Sequence, residues 1–277
     1  MKKSYLLQKF PYSFTKIHAD VSPLIKKASE MAKKAFLRGA TISQKGGTQM
    51  STDILTQTDL DIDQMLREAL KKKFPEFGLV TEEHVSKKPK EAYCWVIDPI
   101  DGTANFAHDI PIFGISVGLW GPQGPLYGII SLPMQGSKGE IVHALTGGGV
   151  FLNDKPFTRK RKTQSKHLEV LINQVATKEE KLAVHEEINK LLPFPYNYRC
   201  ATYHLAMTAL GRFDCVVAAK LALWDFAAGI LIAQEAGLSC EFWTPFPKLT
   251  DDSVREYTHG FVIAEEHLAK KVALKLK

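Results

Sequence analysis

Apolar residues recur along this 277-residue chain in two rhythms, and the change from one to the other divides it. Across 20–38 they return at three- and four-residue steps (Leu24, Ile25, Ala28, Met31, Ala32, Ala35), the spacing of one helix face. Ser22 is placed to cap that helix, Pro23 suits its first turn and Gly39 its end. A second helix is expected from about Asp59, with Ile62, Met65, Leu66 and Leu70 on its stripe and Pro75 beyond its end. Asp59, Asp61 and Asp63 crowd its start, where the helix dipole favours negative charge. From 77 the period shortens: FGLVTEEH, YCWVIDPI, FGISVGLW, LYGIISLP, GEIVHALT and GVFLND are punctuated by glycine and proline and predict a mostly antiparallel sheet. The glycine run at 147–149 precedes a strand and lacks the lysine of a phosphate loop, so it reads as a hairpin turn.

Beyond a polar, basic stretch at 154–166, strands alternate with helices. HLEVLIN, a helix near 178–192, a short YNYRC strand and a helix over 203–211 come first. DCVVAA, the helix WDFAAGILIAQEAG, the strands EFW and GFVIA and a helix from 266 follow. That alternation predicts an α/β layered half. The expected organisation is two closely packed subdomains: 1–154, an α+β unit, and 155–277, an α/β unit.

Composition narrows the classes without choosing among them. It is ordinarily globular, 45% hydrophobic and 24% charged, without repeats. No apolar run is long enough for a membrane span. The opening MKKSYLLQKFPYSF lacks the apolar core and cleavage site of a signal peptide. Cys94, Cys200, Cys215 and Cys240 form no C-x-x-C pair, which argues against a zinc site or disulfide framework and for a reducing, cytoplasmic setting. The net charge of +6 sits in clusters at 71–73, 86–90 and 159–162. These are solvated faces or an attraction for an anionic partner. No aromatic residues interleave with them, which argues against nucleic acid.

The chemistry lies in acids at the ends of elements. Glu82 and Glu83 end one strand, Asp98 and Asp101 another, and Asp225 and Asp59 sit at helix starts. Trp95–Ile97 lead into Asp98 and Ala222–Trp224 into Asp225, so these carboxylates are anchored in apolar surroundings, which is costly unless they are paired or bound to metal. Acids that converge repel one another, and a hard divalent cation relieves this. Carboxylates with a backbone carbonyl, that of Ile100, and no histidine or cysteine suit Mg²⁺ rather than zinc. Pro99 fixes the backbone between the two acids, and the Gly102 and Thr103 amides can cradle an anion.

DPIDGTANF resembles the D-P-[ILV]-D-G-T-x-N-F signature of the inositol monophosphatase family, and WDFAAGILIAQEAG its W-D-x-A-A-G signature with the following E-A-G. TQTDLDID matches the family's T-x-x-D helix start, and TEEH stands where G-E-E is usual. The resemblance implies a Mg²⁺-dependent phosphomonoesterase with a layered αβαβα sandwich of the inositol monophosphatase/fructose-1,6-bisphosphatase type, sensitive to lithium and often a homodimer. By resemblance, Glu82, Asp98, Asp101, Asp225 and the Ile100 carbonyl would hold two metals, and Asp59 would support a third through water. Glu82 and Thr103 would orient and deprotonate the attacking water. Asp101, Gly102, Thr103, Arg199, Ala201 and Asp225 would meet the substrate, a small phosphorylated metabolite.

Three departures touch substrate choice. Ala218 replaces a glutamate that contacts ring hydroxyls in inositol-preferring members, Arg199-Cys200-Ala201 replaces a G-[ST]-A segment, and Thr48 stands for a lysine with Lys45 nearby. Inositol 1-phosphate is the first candidate. Histidinol phosphate, fructose 1,6-bisphosphate and 3′-phosphoadenosine 5′-phosphate are alternatives, the last disfavoured by the short gap from Glu82 to Asp98. Arg199, facing the pocket, would favour a second anionic group; paired with an acid outside it, it would not. Another class is a regulatory protein that binds RNA or the transcription machinery on the same fold, but the intact acid set favours an enzyme. No H-E-x-x-H occurs among the nine histidines, which argues against a histidine metallohydrolase, and His108 reads as a loop residue near the pocket entrance.

Overall fold

The computed structural model describes residues 10–39, 42–44, 54–84, 92–160, 170–173, 195–243 and 259–276; Lys45, Thr48, the basic run at 86–90 and the helix expected at 178–192 lie outside them. Helix α1 (Phe14–Arg38) starts well before the Ser22–Pro23 pair: Ser13 is its cap, accepting from the Lys16 amide at 3.2 Å. The apolar stripe explains the earlier start, because Ile17 and Val21 extend the series Ile25, Ala28, Ala32 backward on the same buried face. Ser22 and Pro23 therefore lie inside the helix. Pro23 is exposed, as is Ala19, so the Ala19 carbonyl that loses its helical donor faces water. Helix α2 (Gln57–Lys73) opens on a capping box in which the Asp59 carboxylate accepts from the Thr56 amide at 3.0 Å.

Strands β1 (Ile42–Gln44) and β2 (Ile54–Thr56) form a small antiparallel ribbon before α2. The main sheet has seven strands in sequence order: β3 (Gly78–Thr81), β4 (Cys94–Asp101), β5 (Gly114–Gly121), β6 (Gly124–Leu132), β7 (Glu140–Leu145), β8 (Gly149–Leu152) and β9 (Lys155–Phe157). Within this sheet only β3 and β4 are parallel. A one-turn helix, α3 (Thr103–Ala107), follows β4, and the 147–149 glycines make the β7–β8 turn. A four-stranded sheet runs β10 (Val170–Asn173), β11 (Cys215–Leu221), β13 (His259–Ala264), β12 (Ser239–Phe242). Helices α4 (Ala201–Ala209), α5 (Leu223–Glu235) and α6 (Glu266–Leu276) complete the described elements. The expected YNYRC strand reduces to an isolated bridge at Tyr196.

Alternation along the strands builds the layers. On β4, Trp95 and Ile97 face α1 and α2, while Cys94 and Val96 face α4 and α5. On β11 and β13, Val216, Ala218, Phe261 and Ile263 join that second core, while Cys215, Val217, Val262 and Ala264 pack against Ala269 and Val272 of α6. The order is helix, sheet, helix, sheet, helix, the αβαβα sandwich expected. Helices α4 and α5 are covered on both sides, and α5 shows an almost wholly apolar run for that reason. Glycine lets α5 approach the main sheet: a Cβ at Gly128 would stand 2.5 Å from the Ala228 carbonyl oxygen. No helix among the described residues is long and apolar enough to cross a membrane, and none of the four cysteines forms a disulfide.

Candidate active site

The acids gather where β3 and β4 end and where α2, α4 and α5 begin. In a straight strand Asp98 and Asp101, three apart, would point to opposite faces. Asp98 pairs with Ser116 and Asp101 with Gly114, so three steps on β4 match two on β5. The extra residue is a bulge over Pro99–Ile100 that turns both carboxylates toward one region. Glu82 follows β3, and its amide donates to the Ile97 carbonyl at 3.2 Å, extending the parallel ladder up to the acids.

Asp98 is 1% exposed, and neither of its carboxylate oxygens has a hydrogen-bond partner among the described residues. Burial holds its carboxyl well above the usual range, and the charges of Glu82, Asp101, Asp225 and Asp59 push the same way. Asp225, in the first turn of α5, is likewise raised by burial and then by Asp101 and Glu82, although its Oδ2 accepts the Ala222 amide at 3.0 Å. Asp101 is raised by burial. Its Oδ2 accepts from the Thr202 amide, from the Thr202 hydroxyl at 2.7 Å and from the Cys200 thiol at 3.4 Å, and these bonds oppose that rise. Burial pushes Asp59 up to about 6, against the hydrogen bond from Thr56. The Thr103 hydroxyl donates to the Ile100 carbonyl at 2.8 Å and lies 3.4 Å from Asp59 Oδ1, which links the bulge to α2.

Glu83 lies near enough for its charge to raise Asp59, whereas the two other aspartates at the start of α2 are held outside the group. Asp61 takes the Gln57 amide, and buried Asp63 accepts from Arg67 at 2.7 Å and pairs with His84 at 2.5 Å. Only Asp59 of the three at the start of α2 enters the site. Gly102 has φ 83°, and a Cβ there would lie 3.0 Å from the Ile112 carbonyl oxygen and 3.2 Å from the Cys200 Cβ, so this turn accepts no side chain without displacement. His108 is exposed at the end of α3, bonded to the Ala104 carbonyl.

Arg199 has φ 53°, a left-handed backbone in which glycine would be unstrained, and its amide donates to Asn197 Oδ1 at 2.9 Å. Its side chain is exposed and makes no ion pair among the described residues. Next to it, Cys200 is buried against Gly102, Ala201 is buried as the first residue of α4, and Ala218 lies buried in β11. Sequence reasoning missed Thr202, which fixes Asp101. The signal was a hydroxyl in the first turn of a helix, a place where such groups find local partners.

One consequence of this region is a pH dependence. His204 is wholly buried, and its Nε2 accepts the Tyr198 amide at 3.1 Å, so the ring must stay neutral. Burial lowers its pKa from 6.5 to about 3. Protonation then favours the unfolded chain, so this contribution is complete above about pH 6.5 and is lost as pH falls toward 3. Urea unfolding at pH 7 and 4.5 is expected to show a loss smaller by about 2 kcal/mol in His204→Gln, whose side-chain oxygen can accept the same amide.

The profile of the inositol monophosphatase family matches residues 16–273. An inositol-1-monophosphatase of Rhizobium meliloti (strain 1021) is 35% identical over 193 residues, 67% of this chain and 70% of that protein. A fructose-1,6-bisphosphatase/inositol-1-monophosphatase of Aquifex aeolicus (strain VF5) is 27% identical over 226 residues, 77% of this chain and 84% of that protein. The crystal structure of extragenic suppressor protein suhB from Bartonella henselae superposes with a TM-score of 0.78 at 25% identity, covering 95% of this chain and 98% of that one.

Proposed function

The chain belongs to the inositol monophosphatase family of phosphatases, and from that premise we propose that it hydrolyses a small polyol or sugar monophosphate with Mg²⁺, inositol 1-phosphate being the first candidate. The observation that carries this is Asp98: two buried carboxylate oxygens without a donor, facing Glu82, Asp101, Asp225 and Asp59. An arrangement of that kind is self-repelling until a cation joins it, and its all-oxygen donors fit Mg²⁺. Asp98, Asp101, Asp225, Glu82 and the Ile100 carbonyl would hold two ions, with Asp59 supporting a third through water. When bound, Mg²⁺ supplies charge to the phosphoryl oxygens and acidity to a water.

The residues of the chain do the positioning. Glu82 and Thr103 orient the attacking water, and Glu82 takes its proton. The Gly102 and Thr103 amides meet the phosphate, and glycine is needed at 102 because a Cβ in this left-handed turn would press on the Ile112 carbonyl oxygen and Cys200. Thr202 holds Asp101 through one oxygen, leaving the other for the site. Water adds to phosphorus as the bond to the alcohol oxygen breaks, and that oxygen takes up a proton. Inhibition by lithium and a homodimer are expected on the same reading.

Arg199, exposed and unpaired among the described residues one position from Cys200, supplies the selectivity, because its guanidinium can meet a second anionic group. Phosphate release is measured across inositol 1-phosphate, histidinol phosphate, fructose 1,6-bisphosphate and 3′-phosphoadenosine 5′-phosphate. Arg199→Ala is expected to lower kcat/KM about tenfold for bisphosphates and much less for monophosphates. Equal small effects on all four would remove Arg199 from the pocket, and inactivity of the wild type on all four would move the assignment to the binding class.

A further inference from the structure

Three metal-binding side chains meet outside the acid pocket. His18 projects from α1, His143 from β7 and Asp154 from the turn between β8 and β9. His18 Nε2 lies 3.3 Å, and His143 Nδ1 3.9 Å, from Asp154 Oδ1, and one ligand atom from each residue falls within 4.8 Å of the others. His143 is 3% exposed, and its Nδ1 has no hydrogen-bond partner among the described residues. A buried imidazole nitrogen left without a donor or acceptor is costly, and a ligand that fills its lone pair removes the cost.

The surroundings match a ligand set. His18 Nδ1 meets the buried Tyr127 hydroxyl at 3.0 Å, the outer hydrogen bond that fixes the tautomer of a metal-bound histidine. Lys26 Nζ holds Asp154 Oδ2 at 2.8 Å, which leaves Oδ1 turned toward the two rings. Two imidazoles and one carboxylate, with His18 and Asp154 partly open to solvent, suit a four-coordinate zinc-type ion with water in the fourth position. They do not suit Mg²⁺, which prefers oxygen donors and near-octahedral geometry.

We propose that His18, His143 and Asp154 form a second metal site, selective for a zinc-type transition ion and independent of the acid pocket. The two rings stack at 3.9 Å with 25° between their planes, so their in-plane lone pairs do not yet meet at one point. His143 is clamped flat against Phe151 at 4.8 Å, so the more exposed His18 tilts about its Nδ1–Tyr127 hydrogen bond to admit the ion. Once loaded, the ion ties α1 to the β8–β9 turn, joining residues 136 positions apart.

The test strips the protein with EDTA and titrates it with Co²⁺ and Zn²⁺, reading Co²⁺ absorption, stoichiometry and Tm. Asp98→Asn removes the central carboxylate of the acid pocket, whose remaining donors are all oxygen and give Co²⁺ only the weak bands of six-coordination. In that background one equivalent of Co²⁺ with the intense visible bands of four-coordination is expected, and Zn²⁺ is expected to raise Tm by about 5 °C. Adding His143→Ala or the partly exposed His18→Gln is expected to abolish both signals. The circular dichroism of His18→Gln checks that the fold survives. Bands and stoichiometry unchanged by His18→Gln, or no Co²⁺ bound in the Asp98→Asn background, would overturn the proposal.

Discussion

Replacing Asp98 with asparagine is expected to lower kcat/KM by about 10³-fold or more and, at the same time, to raise the Tm of the metal-free protein. Both effects come from one carboxylate. Asp98 is buried without a hydrogen-bond donor and is pressed by four neighbouring acids, so in the absence of a cation its charge destabilises the folded state. Asparagine has nearly the same shape, carries no charge, and brings an NH₂ that can donate to those acids. The folded chain therefore loses a repulsion and gains a partner, while the site loses a ligand. A residue of purely structural importance would behave in the opposite way, losing stability along with activity. Thermal unfolding with EDTA, beside phosphate release with Mg²⁺, separates the two; a lowered metal-free Tm would show that Asp98 is not an uncompensated charge.

Gly128→Val is expected to cost about 3 kcal/mol of stability and most of the activity, although Gly128 is in the middle of a strand and outside the acid group. A Cβ there would lie 2.5 Å from the Ala228 carbonyl oxygen and 3.0 Å from its Cα, both backbone of α5. Neither can yield by a rotamer change, so the helix itself must move. Gly118 repeats the close approach one strand away, at 3.1 Å from Ala227, and the Trp120 indole donates to the Ala227 carbonyl at 3.0 Å. Helix α5 is thus pinned to the sheet at Ala227 and Ala228, within one turn of Asp225 in its first turn. Moving the helix shifts one of the acids relative to Asp98 and Asp101. Urea unfolding and kcat together check this: lost stability with full kcat would show that the site tolerates displacement of α5.

Much of this was legible in the chain. The period-two and helical patterns gave most elements, because a two-sided sheet and a twice-covered helix leave strong apolar runs. The acids could be read from their apolar approaches, Trp95–Ile97 and Ala222–Trp224. What could not be read depends on three-dimensional facts. Three aspartates open α2, and only packing decides that Asp63 goes to Arg67 and His84 while Asp59 reaches Thr103. Helix α1 starts before Ser22 and Pro23 because the longer apolar stripe from Ile17 overrides their helix-start signal. The bulge at Pro99–Ile100 is invisible without the register of β5, and so is the hold of Thr202 on Asp101. His18, His143 and Asp154 are scattered in sequence and meet only because α1 crosses the main sheet.

The most direct measurement is inorganic phosphate released from inositol 1-phosphate, and from the other three phosphates, as Mg²⁺ is added back to EDTA-stripped protein. No release is expected without the ion, and saturating recovery is expected with it on at least one substrate, absent in Asp98→Asn. Release that persists in EDTA, or that survives in Asp98→Asn, would contradict the metal assignment.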